Sequence, residues 1–151
     1  MESSMKIYKA QYADISRVSE IFNLYRIFYG QKFDIDRCEE FIENNILANR
    51  SDIFILECDG HIVSFVQLYK NYCSIDLCLY YYLSDLYVVE DERGNGYATK
   101  IMEHIIELYS NSDFKRITLD TAKTNIFAQR LYEKLNYKRD ETYITYHKSL
   151  N

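Results

Sequence analysis

"YVVEDERGNGYATKIMEHI", residues 87–105, sets two of the chain's four glycines two positions apart, between an apolar run and an amphipathic one. The chain has no proline, so Gly94 and Gly96 mark its strongest demand for a bare backbone. Ala98, Ile101, Ile105 and Leu108 recur at helical spacing and predict a helix directly after the turn. A strand feeding a helix this way presents the helix's first backbone N–H groups, which lack intrahelical acceptors. With the helix dipole they form an anion site, and glycines let phosphates approach without a Cβ in the way. A tight strand-to-helix connection with no ligand has the same spacing. A P-loop is excluded, because neither GxxxxGKS nor GxxxxGKT occurs. A dinucleotide fold is disfavoured, because GxGxxG is incomplete and comes late in the chain.

Outward from the turn, the N-terminal side reads as a short strand, two helices and a meander. "MKIYKA" is strand-like; Asp14 precedes Ile15, Val18, Ile21, Phe22, Tyr25 and Phe28 at helical spacing, and Gly30 can end that helix. Asp36 is expected to start a second helix carrying Phe41, Ile42 and Ile46. "DIFILEC" and "HIVSFVQLYKNY" flank Asp59-Gly60, a two-residue hairpin signal, and "IDLCLYYYLSDLYVV" adds a third long strand. C-terminal to the turn come the strand "RITLDTA", the helix "NIFAQRLYEKLNY" and two short closing strands, "YKRD" and "TYITYHKS". The expected fold is α/β (α+β): one domain over residues 1–151, with a mixed, mostly antiparallel sheet of six to seven strands flanked by about four helices. The crossover after residue 89 places the next strand parallel to the third meander strand.

Composition narrows the function classes. With 48% hydrophobic residues, 151 positions can bury a core without disulfides or metals. Sixteen tyrosines and eight phenylalanines suit core and sheet packing, with some tyrosines lining a cleft. The start, "MESSMKIYKA", lacks the build of a signal peptide, and no apolar run approaches a membrane span. A cytoplasmic protein without a membrane partner is expected. Cys38, Cys58, Cys73 and Cys78 form no CxxC pair and the three histidines lie far apart, so free thiols and no metal are expected. Cys73 and Cys78 are spaced to face each other across a turn. Residues 1–112 hold 10 Lys+Arg against 18 Asp+Glu, whereas residues 113–139 hold 7 against 3. The acidic body argues against nucleic acid as a partner; the basic segment suits a phosphorylated small molecule or a solvated face.

Two motifs then point to one family. "DLYVVEDERGNGYATKIMEHI" resembles the pyrophosphate-binding segment of the GCN5-related N-acetyltransferase (GNAT) superfamily, with Arg93, Gly96 and Ala98 on its pattern. "NIFAQRLYEKLNY" resembles the family's second signature, with Asn125, Ala128, Tyr132, Glu133 and Lys134 in place. The order of elements from residue 5 to 148 agrees with the same family. The resemblance implies acetyl-CoA as cosubstrate, a parallel strand pair that splays apart, and homodimers as a common assembly. It places the pantetheine arm along the backbone of Leu86, Tyr87 and Val88. The pyrophosphate falls on the N–H groups of Arg93, Gly94, Asn95, Gly96, Tyr97 and Ala98. The 3′-phosphate would meet Arg130, Lys134 or Lys123.

The implied reaction is attack of a neutral amine on the acetyl carbonyl, with CoA thiolate leaving. Tyr132 is the candidate acid: a phenol with pKa near 10 can protonate a thiolate whose free pKa is about 8.5. Several members carry a Glu directly before the Asp of "DLYV", where this chain has Ser84. Asp85 is adjacent, and strict alternation points it to the opposite sheet face. Ser84 and Asp85 are candidates for the proton acceptor, with a structural role as the alternative for Asp85; another group or a water chain is the other source of the base. Asn136 stands where many members have Gly, and Asn tolerates the left-handed position that ends a helix. Tyr25, Tyr29, Tyr81 and Tyr82 are candidate acceptor-lining residues, and packing is the alternative for each. The expected acceptor is a small-molecule amine, such as a polyamine, amino acid or aminated metabolite. Acetylation of protein N-termini or lysines, and a non-catalytic acyl-CoA sensor or assembly domain, are the other readings.

Overall fold

The computed structural model describes residues 4–151, and its elements fall into two compact units, one reaching to Asp120 and the other Thr121–Asn151. In the first unit, β1 (Met5–Lys9) leads through a 3-10 turn to α1 (Ile15–Phe28) and α2 (Ile35–Leu47). Then come β2 (Ser51–Cys58), β3 (His61–Cys73), β4 (Cys78–Val88), a 3-10 turn at Glu90–Glu92, α3 (Tyr97–Ser110) and β5 (Ile117–Leu119). The sheet order is β1-β2-β3-β4-β5, antiparallel except for the parallel pair β4–β5. The α/β class, the meander and the parallel pair thus follow the sequence reading.

Local chemistry sets most boundaries. Asp59 and Gly60 both take positive φ, 50° and 84°, as a two-residue turn of the right twist requires. Gly30, at φ 87°, ends α1, with the Gln31 N–H donating to Arg26 O and the Gly30 N–H to Ile27 O. The second helix starts one residue before Asp36. Asp34 is its N-cap, accepting from the Arg37 N–H at 3.3 Å, a bond typically worth about 1 kcal/mol. Asp14 precedes α1, but its carboxylate accepts from the Gln11 N–H and so closes the 3-10 turn rather than capping the helix.

The core lies on both faces of the sheet. Val18, Ile21, Phe22 and Ile42 from α1 and α2 pack with Ile53, Ile55, Phe65 and Tyr87. Phe54, Leu56, Val66 and Leu68 alternate with that set and are buried on the α3 side, where Ile101, Met102 and Ile105 are also buried. Each such aliphatic or aromatic side chain contributes roughly 1.5–3 kcal/mol on full burial.

The second unit holds α4 (Ile126–Lys134), capped by Asn125, whose side chain accepts from the Ala128 N–H at 3.1 Å. It ends as expected for Asn136: φ is 68°, and the Tyr137 N–H donates to Tyr132 O at 2.9 Å. "YKRD" and "TYITYHKS" carry no strand, so the described residues give five strands rather than six to seven. The alternation in "TYITY" suits a strand, but a strand exists only through a paired neighbour, and Tyr143, Ile144 and Tyr146 are exposed. Among the described residues no helix is long and apolar enough to cross a membrane.

Candidate active site

The turn after β4 is built to leave donors open. Gly94 and Gly96 sit at φ 85° and 79°, and a Cβ at either would meet nothing within 4 Å. The first bond inside α3 runs from the Lys100 N–H to Gly96 O at 3.1 Å, so the N–H groups of Tyr97, Ala98 and Thr99 precede the helical ladder. Left-handed glycines, open space and helix N-terminal donors together fit a pyrophosphate. Asn95 closes the turn, its Nδ2 donating to Glu92 O at 2.9 Å. Hydrogen bonding to Cys58 pushes the Tyr97 hydroxyl up to about 12.

Arg93 departs from its expected place. Its N–H donates to Glu90 O, its Nε donates to Val88 O at 3.0 Å, and its guanidinium lies over the rings of Phe28 (5.0 Å) and Tyr87 (5.4 Å). It therefore ties the turn to β4 and α1, and the open donors begin after it.

Beside the turn, β4 loses its parallel neighbour. The last β4–β5 pair is Leu83↔Leu119, while β4 continues to Val88. Ser84 to Val88, including Leu86, Tyr87 and Val88, therefore have no β5 partner. This is the splay that the resemblance implied.

A bulge lies where the pairing stops. On the β3 side, Gln67 pairs with Asp85 but Leu68 pairs with Leu83, leaving Ser84 as the extra residue. The bulge reverses the alternation expected for Asp85. Tyr81 sits on the α3 side of the sheet, its ring stacked on Tyr109 and Phe114 at 4.0 Å each and its hydroxyl donating to Asp52. Two residues past Leu83, Asp85 faces α1 and α2 instead. The Ser84 hydroxyl donates to Asp85 Oδ1 at 2.8 Å, so the two side chains meet instead of parting. Tyr81 is thereby a core residue and does not line the acceptor side.

Asp85 is 5% exposed and held by a network that the sequence reading missed. Gln67 Nε2 donates to Asp85 Oδ2. Gln67 Oε1 accepts from Asn45 Nδ2 at 2.9 Å and from the Ser51 hydroxyl at 2.7 Å, which locks the amide's orientation. Asn45 also donates to the Tyr69 hydroxyl at 3.0 Å. The one available signal was a glutamine inside the apolar run "HIVSFVQLYKNY". Burial pushes the Asp85 carboxyl above the ordinary carboxylate range, and the hydrogen bonds from Gln67, Ser84 and Tyr25 offset only part of that.

Tyrosines surround this carboxyl. The Tyr25 hydroxyl reaches Ser84 O at 3.4 Å, and its ring meets Tyr29 edge-on at 5.0 Å and Tyr87 at 6.1 Å. Burial, then the Asp85 charge, raises the Tyr25 hydroxyl well above its usual value. Tyr29 is exposed beside it. Tyr82 donates to Asp120 Oδ2 at 2.6 Å, and this bond pushes its hydroxyl up to about 12. In the second unit, Ala128 is half-buried, Arg130 and Lys134 are exposed on α4, and the Tyr132 ring lies 5.8 Å from that of Tyr137.

Comparison with known proteins agrees with this geometry. Residues 18–137 match the model of the acetyltransferase (GNAT) family. The chain is 31% identical over 142 residues to an uncharacterized N-acetyltransferase of Bacillus subtilis (strain 168), covering 94% of this chain and 95% of that one. The crystal structure of a probable acetyltransferase superposes with a TM-score of 0.91 at 24% identity, covering 97% of this chain and 98% of the other. An aminoglycoside N-acetyltransferase in complex with CoA superposes with a TM-score of 0.81 at 18% identity, covering 98% and 97%.

Proposed function

Because the chain belongs to the acetyltransferase (GNAT) family, we propose that it transfers the acetyl group of acetyl-CoA to the primary amine of a small molecule by direct attack. The observation that carries this reading is the Ser84–Asp85 pair at the bulge, opening where β4 loses its neighbour. Acetyl-CoA, when bound, supplies the activated acetyl group. The N–H groups of residues 94–98 would hold its pyrophosphate, and the β4 edge at Leu86–Val88 its pantetheine. Asn125, Ala128, Arg130 and Lys134 are assigned to the cofactor by the second signature, the two cations to the 3′-phosphate.

A neutral amine is the nucleophile, so a proton must leave it. The exposed Ser84 hydroxyl accepts that proton as its own passes to Asp85, 2.8 Å away. A backbone N–H near Val88 polarises the carbonyl, as the resemblance implies. The Tyr132 hydroxyl donates to the departing thiolate. A cationic amine suits the acidic body and the exposed rings of Phe28 and Tyr29, which with Tyr25 and Tyr82 lie on the acceptor side.

Acetyl-CoA turnover against a panel of polyamines, amino acids, aminoglycosides and lysine peptides tests the reading. Turnover with small amines is expected. Turnover with peptides alone would make the chain a protein acetyltransferase, and CoA binding without any turnover would make it a sensor. Gly96→Val is expected to weaken acetyl-CoA binding at least about 10-fold by calorimetry, since a branched side chain intrudes on the open turn and pays roughly 1–3 kcal/mol for positive φ. Unchanged affinity in the folded variant would remove the pyrophosphate from this turn.

A further inference from the structure

At the end of the β3–β4 hairpin remote from the glycine turn, Cys73 pairs directly with Cys78 across the two strands. The intervening turn holds Leu77 at φ 52° and curls Asp76 back toward the sulfurs. The two Sγ atoms and an Asp76 carboxylate oxygen all lie within 4.8 Å of one another, with Cys73 Sγ 3.7 Å from Asp76 Oδ2. The spacing Cys-x2-Asp-x-Cys is not a CxxC motif, which is why the sequence reading expected no metal.

We propose that Cys73, Asp76 and Cys78 bind one zinc-class divalent cation, with two thiolates and one carboxylate as ligands and a fourth position left to water. Zinc bonds of about 2.3 Å to sulfur and about 2.0 Å to oxygen at the tetrahedral angle separate the two ligand atoms by roughly 3.5 Å. The Cys73–Asp76 separation of 3.7 Å is close to this, and the other two separations are within 4.8 Å, so small side-chain shifts complete the set. Thiolates select zinc, cobalt or cadmium over magnesium and calcium, which take oxygen ligands.

Charge and space fit as well. Binding releases the two thiol protons, and two thiolates plus one carboxylate around a divalent ion leave one negative charge. Arg116 Nη1 lies 3.8 Å from Asp76 Oδ2 and offsets that charge. Its guanidinium is held in place without Asp76, by the Tyr80 ring at 4.1 Å and by Nε donating to the Thr118 hydroxyl at 3.1 Å. Asp76 can therefore turn to a metal without setting Arg116 adrift. Both cysteines line a shallow cavity of about 210 Å³ with Tyr72, Ser74, Leu77 and Leu79, which has room for a water on the fourth position. The site draws nothing from the proposed acetyl transfer.

The test is cobalt titration of untagged, reduced protein. The expected result is one ion per chain, with tetrahedral visible absorption and a thiolate charge-transfer band, both lost when zinc displaces the cobalt. Cys73→Ser/Cys78→Ser should weaken binding on the order of 100-fold, and Asp76→Asn about 10-fold, with circular dichroism unchanged. In the unaltered protein, zinc should shield Cys73 and Cys78 from alkylation, a readout that needs no variant. Equal cobalt binding by the double variant, no charge-transfer band, or alkylation at the same rate with and without zinc overturns the proposal. So does closure of the pair to a disulfide, seen as two hydrogens lost from the intact mass, when zinc is present.

Discussion

Replacing Tyr132 by phenylalanine is expected to lower kcat and kcat/KM together by about 10²–10⁴-fold, some 3–5 kcal/mol of barrier, with KM for acetyl-CoA nearly constant. In the proposed role the hydroxyl acts on a thiolate that exists only as the carbon–sulfur bond breaks, so its loss would fall on the transition state. The phenyl ring keeps its place beside Tyr137, and the bond from the Tyr137 N–H to the residue 132 carbonyl is untouched by the side chain. Steady-state and single-turnover rates with a thiol-detecting assay measure the effect. A folded variant with unchanged single-turnover rate would take the acid role from Tyr132. A variant that loses stability instead would make the residue structural.

Asp85→Asn tests the proposed acceptor of the amine's proton, with an expected loss of about 10²–10⁴-fold in kcat/KM at neutral pH. The wild-type profile should fall on the acidic side through a pKa above the ordinary carboxyl value of about 3.9, because burial holds Asp85 up. In the Asn variant that acidic limb should vanish. The groups facing Asp85 are Tyr25 from α1, Gln67 and Tyr69 from β3, and Ser84 and Tyr82 on its own strand; among them only tyrosines titrate, all with raised values far from this limb.

Stability should move the other way from activity. A carboxyl whose folded pKa is raised favours the folded state fully below its unfolded value. That contribution is lost as pH rises from about 3.9 through the raised value. At pH 7 the uncharged Asn, free of the cost of a buried charge, should match or exceed wild-type stability. Ser84→Ala should fall between wild type and Asp85→Asn, since water can replace a hydroxyl. Wild-type kcat/KM with an intact acidic limb in Asp85→Asn would place the base elsewhere.

Much of this protein is decided within a few residues of chain, and those features were legible in the sequence. The Asp59-Gly60 hairpin, the ends of α1 and α4 at Gly30 and Asn136, and the Gly94–Gly96 turn each rest on a backbone φ that few residues tolerate. The faces of α1 and α3 follow from side chains three and four positions apart. Residue identity alone therefore placed the glycine turn, the strand before it and the helix after it. Tertiary structure decided what no short window contains. The length of β5 sets where β4 is left unpaired, and the register of β3 against β4 creates the bulge at Ser84. That one extra residue puts Asp85 on Gln67 and Ser84 instead of beneath α3, and it leaves Tyr81 in the core. Side chains alternate with a period of two, so a single-residue shift in pairing exchanges the faces of everything beyond it, and pairing is a property of two strands, not of either sequence alone.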